Sequence, residues 1–419
     1  MLAPLPLRWP MTNRNVSLAA PTPLANRALA PDLARGALLL FIAIANSPWY
    51  LWVATSRGLS GWPVNATALD RVVQTISLVA IDGRSYPMFA ALFGYGIWQI
   101  TARMRAERID PAASRRLLRR RHTWLLAFGA VHAALLWGGD VLGAYGLAGL
   151  AIGWLFLDRP DRTLRRWAIA FVGILSVGAV VLFAAGLVVL AAGEGEDGSY
   201  AAAEQGLGIA TSSYPESIVE RVLSWLVLAP VQGLAFAVPA MILLAILAAR
   251  HRVLEQPELH RPLLRRTAII GIAIGWTGGA ITAAQNLDLF GIPSSLDWMF
   301  APLTTVTGLG CGVGYLAAIG LLAARLSRPS RLATAVRALG SRSLTFYLAQ
   351  SLFFAPIMSA WGLGLGAQLS SWSIVVVAIG VWAASLAVAA LLDHRGIRGP
   401  AETLLRHLTY RHRQTYRHR

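Results

Sequence analysis

The chain contains no lysine: all 37 basic residues are arginine, set against only 20 acidic ones. Schiff-base chemistry and a lysine nucleophile are therefore excluded. A single cysteine, Cys311 inside an apolar run, rules out an intramolecular disulfide and a cysteine-based metal site. Charge is scarce as well, at 14% of residues against 56% hydrophobic, with a mean hydropathy of +0.56. Soluble domains are usually about 45–50% apolar. No Walker loop, zincin helix, HxxxD acyltransferase box or nucleophile elbow occurs, and no metal is expected.

What is present is a series of long apolar runs. About 20 apolar residues cross a bilayer. Candidate spans are Gly36–Ala54, Ile76–Ile100, His122–Trp137, Val141–Leu157, Trp167–Ala192, Ile218–Ala249, Thr267–Ala284, Met299–Ala324, Leu344–Trp361 and Trp372–Leu392. In an alternating arrangement of these runs, 33 of the 37 arginines fall on one side, leaving Arg57, Arg71, Arg84 and Arg221 for the other. Arginine-rich short loops stay in the cytoplasm. The expectation is an all-α, polytopic integral membrane protein of about ten helices with both termini cytoplasmic, in a bacterial plasma membrane. Residues 1–31 read as a disordered cytoplasmic tail, 32–392 as the transmembrane domain and 393–419 as a basic cytoplasmic tail. The sixth run carries Pro230 and Pro239, so a kink or break is expected there. Asp82 and Arg84, near the outer end of the second run, are expected to form a local ion pair. The outer loop Gly193–Glu216 shows no strand pattern, and tryptophans near span ends, Trp137 among them, read as an aromatic belt. Although the formal charge is +17, the arginines cap apolar runs and do not interleave with aromatics. They point to the lipid bilayer as partner and away from nucleic acid.

Polar side chains inside a span are costly and usually face a cavity or a partner. Asn46 follows Arg35 by 11 residues, and His132 follows Arg121 by 11. Each then lies roughly 16 Å along an outward-running helix, at a common depth. Histidine is the side chain suited to proton transfer near neutral pH. Either these groups bond neighbouring helices or they form a site. Asp140, eight residues beyond His132, either orients the histidine or caps the following helix. Tyr347 and Gln350 face inward if the ninth span packs by its polar stripe with Thr345 and Ser351. Arg115, Arg116, Arg119, Arg120 and Arg121 form the densest basic cluster, beneath the helix carrying His132. It reads either as topological charge or as a phosphate-binding dock for a nucleotide cofactor.

Several stretches together resemble the YeiB-like family of bacterial integral membrane proteins, the domain of unknown function 418. They are Asp32-Leu33-Ala34-Arg35-Gly36 running to Asn46, Phe89 to Gly96, Arg119 to His132, and Trp137-Gly138-Gly139-Asp140. The C-terminal stretches are Ala338 to Ser351 and Gly399 to Tyr410, the latter with Ala401-Glu402-Thr403 in place of a bulkier version. The C-terminal family signature spans about 230 to 410. That family is distantly similar to transmembrane acyltransferases, including heparan-α-glucosaminide N-acetyltransferase. The resemblance implies acetyl-CoA or another acyl-CoA as co-substrate, with His132 as catalytic base and Asn46 stabilising the acyl carbonyl. Asp140 would assist, and Arg35 would join the five clustered arginines at the coenzyme. Asp82, Arg84, Tyr347 and Gln350 are the expected acceptor contacts, for a small-molecule, glycan or lipid acceptor. A homodimer is the expected assembly. The alternative function is a small-solute transporter using His132 and Asp140 as a proton relay.

Overall fold

A computed structural model describes residues 28–56, 60–196, 200–201, 207–326 and 329–410. Most of the expected N-terminal tail (1–27), Arg57 and residues 411–419 lie outside the described residues. The helices are α1 (Leu29–Asn46), α2 (Ala68–Ala80), α3 (Ser85–Ala106), α4 (Pro111–Leu135), α5 (Leu142–Leu155), α6 (Asp161–Ala191) and α7 (Tyr214–Leu234). They continue as α8 (Ala237–Arg250), α9 (Arg261–Asn286), α10 (Ala301–Arg325), α11 (Arg331–Gly340), α12 (Ser343–Met358), α13 (Ser371–His394) and α14 (Pro400–Tyr410). Among the described residues, six helical stretches are long and apolar enough to cross a membrane: Leu29–Tyr50, Asp161–Ala191, Tyr214–Leu234, Pro257–Asn286, Ala301–Arg325 and Ser371–His394. The apolar helices α5, α8 and α12 are shorter. This is a helical membrane protein. In such a protein each backbone polar group is satisfied within its own segment, which favours helices over open sheet.

Two expected spans are broken. The apolar run 76–100 divides into α2 and α3 because both the Ile81 and Asp82 amides bond back to the Ser77 carbonyl, and Gly83 adopts φ +74°. Hydropathy averages over such a turn and does not register it. The expected ion pair there is replaced by separate bonds. The Asp82 carboxylate accepts from the Trp62 indole at 2.8 Å, while the Arg84 guanidinium donates to the Asp82 and Gly275 carbonyls. The second break, between α7 and α8 at Ala235–Phe236, lies between the two prolines that predict it.

At one end of the bundle, Arg250 and His251 meet Asp161, Arg105 and Arg115 meet Asp158, and Arg342 meets Asp393. The opposite end joins Trp52 to the Met358 carbonyl, Tyr214 to the Leu135 carbonyl and Asn286 to Gln74. A two-residue antiparallel ladder, Thr55–Ser56 with Tyr200–Ala201, also forms in the loop expected to lack strands; two residues are too few to show alternation. Residues 29–31, expected in the tail, begin α1, and much of the expected C-terminal tail is α14, packed on α4 and α12.

Asp70 ties the opposite end together. Its carboxylate accepts from the Thr67 amide at 3.0 Å, the Thr67 hydroxyl at 2.6 Å and the Trp372 amide at 2.9 Å, so it closes a capping box and holds α13. Burial alone would raise its pKa, but these hydrogen bonds outweigh it and hold the group below the ordinary value. A depressed folded pKa gives stability that is present above the unfolded pKa and lost as pH falls through the folded one. Asp70→Ala should therefore cost about 1–2 kcal/mol at neutral pH, less in acid. Thermal melts in detergent across pH 3–7 check this; an equal loss at every pH would contradict it.

Candidate active site between α1, α4, α5 and α12

The site begins with a close helix pair. Along the antiparallel seam of α4 and α5, His122 faces Gly149, Leu126 faces Gly146, and Gly129 faces Gly143. A Cβ on Gly149 would lie 2.8 Å from the His122 ring, one on Gly146 2.7 Å from the Leu126 nitrogen, and one on Gly129 2.6 Å from the Gly143 Cα. Small residues let helix backbones approach where lipid gives no hydrophobic driving force. This register ends with His132 opposite Asp140.

His132 and Asp140 are 3% and 1% exposed, and His132 Nδ1 lies 2.7 Å from Asp140 Oδ1. Asp140 Oδ2 accepts from the Gly143 amide at 2.7 Å and the Trp225 indole at 3.3 Å. Orientation of the histidine and capping of α5 are thus the work of one carboxylate. A carboxylate that only accepts places the proton on Nδ1, leaving a lone pair on Nε2. Nε2 is buried without a hydrogen-bond partner among the described residues.

The imidazole packs on Tyr347, with ring centroids 5.3 Å apart, and the Tyr347 hydroxyl accepts from the Val141 amide at 3.3 Å. Tyr347 also lines a narrow pocket with Asn46, Gln350, Ser351, Tyr50 and Trp137, roomy enough for about one water molecule. Gln350 donates to the Leu39 carbonyl at 3.0 Å, joining α12 to α1. Trp137, expected in an aromatic belt, is instead buried and stacked on Tyr50 at 4.8 Å. Asn46, His132, Asp140, Tyr347 and Gln350, chosen from four separate stretches of sequence, therefore come together. Thr345 does not join them.

The other selected residues divide. Arg115 shares Asp158 with Arg105, at 3.1 and 2.9 Å on the surface. Arg116 and Arg119 are exposed and Arg120 is half-buried. Arg121 turns inward over the Phe93 ring, its centroid 5.9 Å away, with Nη1 buried and unpaired among the described residues; Arg35 and Tyr410 are its electrostatic neighbours. Arg35 donates to Asp32 at 2.9 Å. Asp82 and Arg84 lie at the α2–α3 break against α9, and neither lines the Asn46 pocket.

Residues not anticipated include His122, buried with its Nε2 unpaired among the described residues, and Trp225. Arg221, fully buried, donates to the Ala134 carbonyl at 2.9 Å and so supports the end of α4 just beyond His132. Glycine at every third position, Gly143, Gly146 and Gly149, is the signal that would have pointed to the seam.

Residues 248–412 match a family described as "Protein of unknown function (DUF418)". The matched part holds Tyr347 and Gln350 but not Asn46, His132 or Asp140. Across 340 residues, 77% of this chain and 78% of the relative, the chain is 26% identical to the uncharacterized protein YxaH of Bacillus subtilis (strain 168). It is 27% identical over 341 residues to the uncharacterized protein YeiB of Escherichia coli (strain K12), covering 77% of this chain and 81% of that one. No solved structure matches significantly.

Proposed function

For this chain, which belongs to the YeiB-like DUF418 family, we propose a membrane acyltransferase that moves an acyl group from acyl-CoA to a hydroxyl or amine. The observation that carries the proposal is His132, fixed through Nδ1 by Asp140, with its Nε2 unpartnered among the described residues and its ring packed on Tyr347, which lines the pocket with Asn46. In this reading ten crossings place both termini in the cytoplasm of a bacterial plasma membrane, on the strength of the 33 arginines gathered on one side. The coenzyme phosphates meet Arg121 at that end, with Arg35, held by Asp32, as its electrostatic neighbour; Arg115 lies out on the surface with Asp158 and contributes little.

His132 Nε2 takes the proton from the acceptor as its oxygen or nitrogen attacks the thioester carbon. The Asn46 amide donates to the carbonyl oxygen as negative charge develops on it. The carbon–sulfur bond breaks, the proton passes from His132 to the departing thiolate, and the acylated acceptor and free coenzyme A result. Asp140 holds the ring and stabilises its transient positive charge. Tyr347 and Gln350 wall the space beside it. A transporter with a proton relay is the competing reading. It fits less well because Asp140 is saturated by three donors and, among the described residues, Nε2 has no onward partner.

Calorimetry on the full-length protein in nanodiscs tests the proposal. Acetyl-CoA should bind, and Arg35→Gln with Arg121→Gln should weaken binding about tenfold or more and flatten its salt dependence, whereas Arg115→Gln should do neither. Absence of acetyl-CoA binding at low salt, together with solute uptake by the same protein, would favour the transporter.

A further inference from the structure

The two C-terminal signature stretches meet at a side chain that touches no part of the pocket. The Glu402 carboxylate, on the first turn of α14, accepts from the Leu344 amide at 2.8 Å and the Thr345 amide at 3.2 Å through Oε1. Its Oε2 accepts from the Thr345 hydroxyl, which in turn accepts from the Ala401 amide at 3.1 Å. These amides open α12, and its own N-cap, Arg342, supplies no side-chain cap. A carboxylate from 57 and 58 residues away thus satisfies orphan donors that a local serine or aspartate normally covers. It also places negative charge where the helix dipole favours it. Gly399 makes this possible, since a Cβ there would collide with the Glu402 carboxylate.

The helix so capped carries Tyr347, against His132, and Gln350, Ser351 and Phe354 in the pocket wall. Below the cap, Arg342 donates to Asp393 at 3.1 Å and to the Ile397 carbonyl at 2.7 Å, anchoring the base of α12 to the chain leading into α14. Meanwhile α14 also packs along α4, the helix of His132. One short helix thereby spans the two elements whose spacing determines how Tyr347 meets the imidazole.

We propose that Glu402 is a positioning residue and α14 a strap: by capping α12 from outside, Glu402 sets the height of Tyr347 and Gln350 relative to His132. The proposal rests on the acyltransferase reading for its kinetic consequence but not for its structural one. The site is tolerant of small errors in neither case, because a misplacement of about 1 Å in a catalytic array costs on the order of 10²-fold in rate. Glutamine keeps one oxygen to accept from the Leu344 and Thr345 amides, and its NH2 can donate to the Thr345 hydroxyl oxygen, so it should largely replace glutamate, losing only the smaller dipole contribution.

The test uses full-length wild type, Glu402→Ala, Glu402→Gln and Thr345→Val in nanodiscs. Hydrogen exchange is followed over residues 343–351, and acetyl transfer is followed from acetyl-CoA. The alanine variant should exchange at least about tenfold faster at 344 and 345 and lose about tenfold or more in kcat with little change in KM for acetyl-CoA. Glutamine should restore both, and Thr345→Val, which keeps the two amide bonds, should fall between. Unchanged exchange in the alanine variant, or a glutamine variant as impaired as alanine, would overturn the strap. If Glu402→Ala does not fold, Thr345→Val with wild-type exchange and wild-type kcat would overturn it instead. Failure of every protein, wild type included, to transfer acetyl would remove the acyltransferase reading while leaving the strap to stand or fall on exchange.

Discussion

His132→Ala is expected to abolish acyl transfer while acetyl-CoA still binds with near wild-type affinity. The variant also removes the partner of Asp140 Oδ1, leaving a buried carboxylate oxygen uncompensated, so it should lose about 1–3 kcal/mol of stability. That side effect makes alanine alone a poor witness. His132→Asn is the better one, since its amide can donate to Asp140 as Nδ1 does but offers no basic nitrogen in place of Nε2. The asparagine variant should melt near the wild-type temperature and remain inactive. Asp140→Asn should leave the ring free to adopt the wrong tautomer, a change that costs on the order of 10⁴ in rate in serine-protease triads. Asn46→Ala should cost about 10²–10³, the usual effect of one lost oxyanion donor. Measurement requires only turnover with acetyl-CoA and a melting curve for each variant. An asparagine variant with normal turnover would make His132 structural.

Gly129→Ala is expected to damage both stability and activity. The added Cβ would press on the Gly143 amide and the Asp140 carboxylate at once, so either the helices part or the carboxylate leaves His132. Overpacking of this kind costs about 1–3 kcal/mol, and here it also displaces the carboxylate that holds His132. Activity should fall by at least about 10²-fold, as for other misplacements of an ångström. Gly153→Ala, on the same α5, meets nothing within 4 Å and serves as the control. It should be neutral or gain up to about 1 kcal/mol from helix propensity. Equal melting temperatures and equal turnover for the two variants would show that the α4–α5 seam tolerates separation.

Much of the architecture follows from composition. Apolar runs punctuated by arginine make a helical membrane protein, because only hydrogen-bonded helices or closed barrels satisfy the backbone in lipid. The cost of burying polar groups singled out Asn46, His132, Asp140, Tyr347 and Gln350, and the fold sets His132 against Asp140 and Tyr347, and Tyr347 in a pocket with Asn46 and Gln350, whereas Asp82 and Arg84, also selected, lie elsewhere. Charge density was less discriminating. Five neighbouring arginines look alike along the chain, yet Arg121 turns inward over Phe93 while Arg115 points out at Asp158, since they sit on different faces of α4.

What the chain alone could not disclose depended on partners distant in sequence. A hydropathy window does not see that Gly83 takes a positive φ, so one apparent span became α2 and α3. Nor does a tryptophan near a span end reveal whether it meets lipid or, like Trp137, a tyrosine from another helix. Whether Asp140 orients His132 or caps a helix is undecidable from spacing, because the carboxylate has two oxygens and the fold gives each its own partner. Sequence by itself determined the helical membrane class and which polar groups are too expensive to be idle. The tertiary structure decided which of them meet, because hydrogen bonds and close glycine contacts depend on distances of a few ångströms that no local pattern encodes.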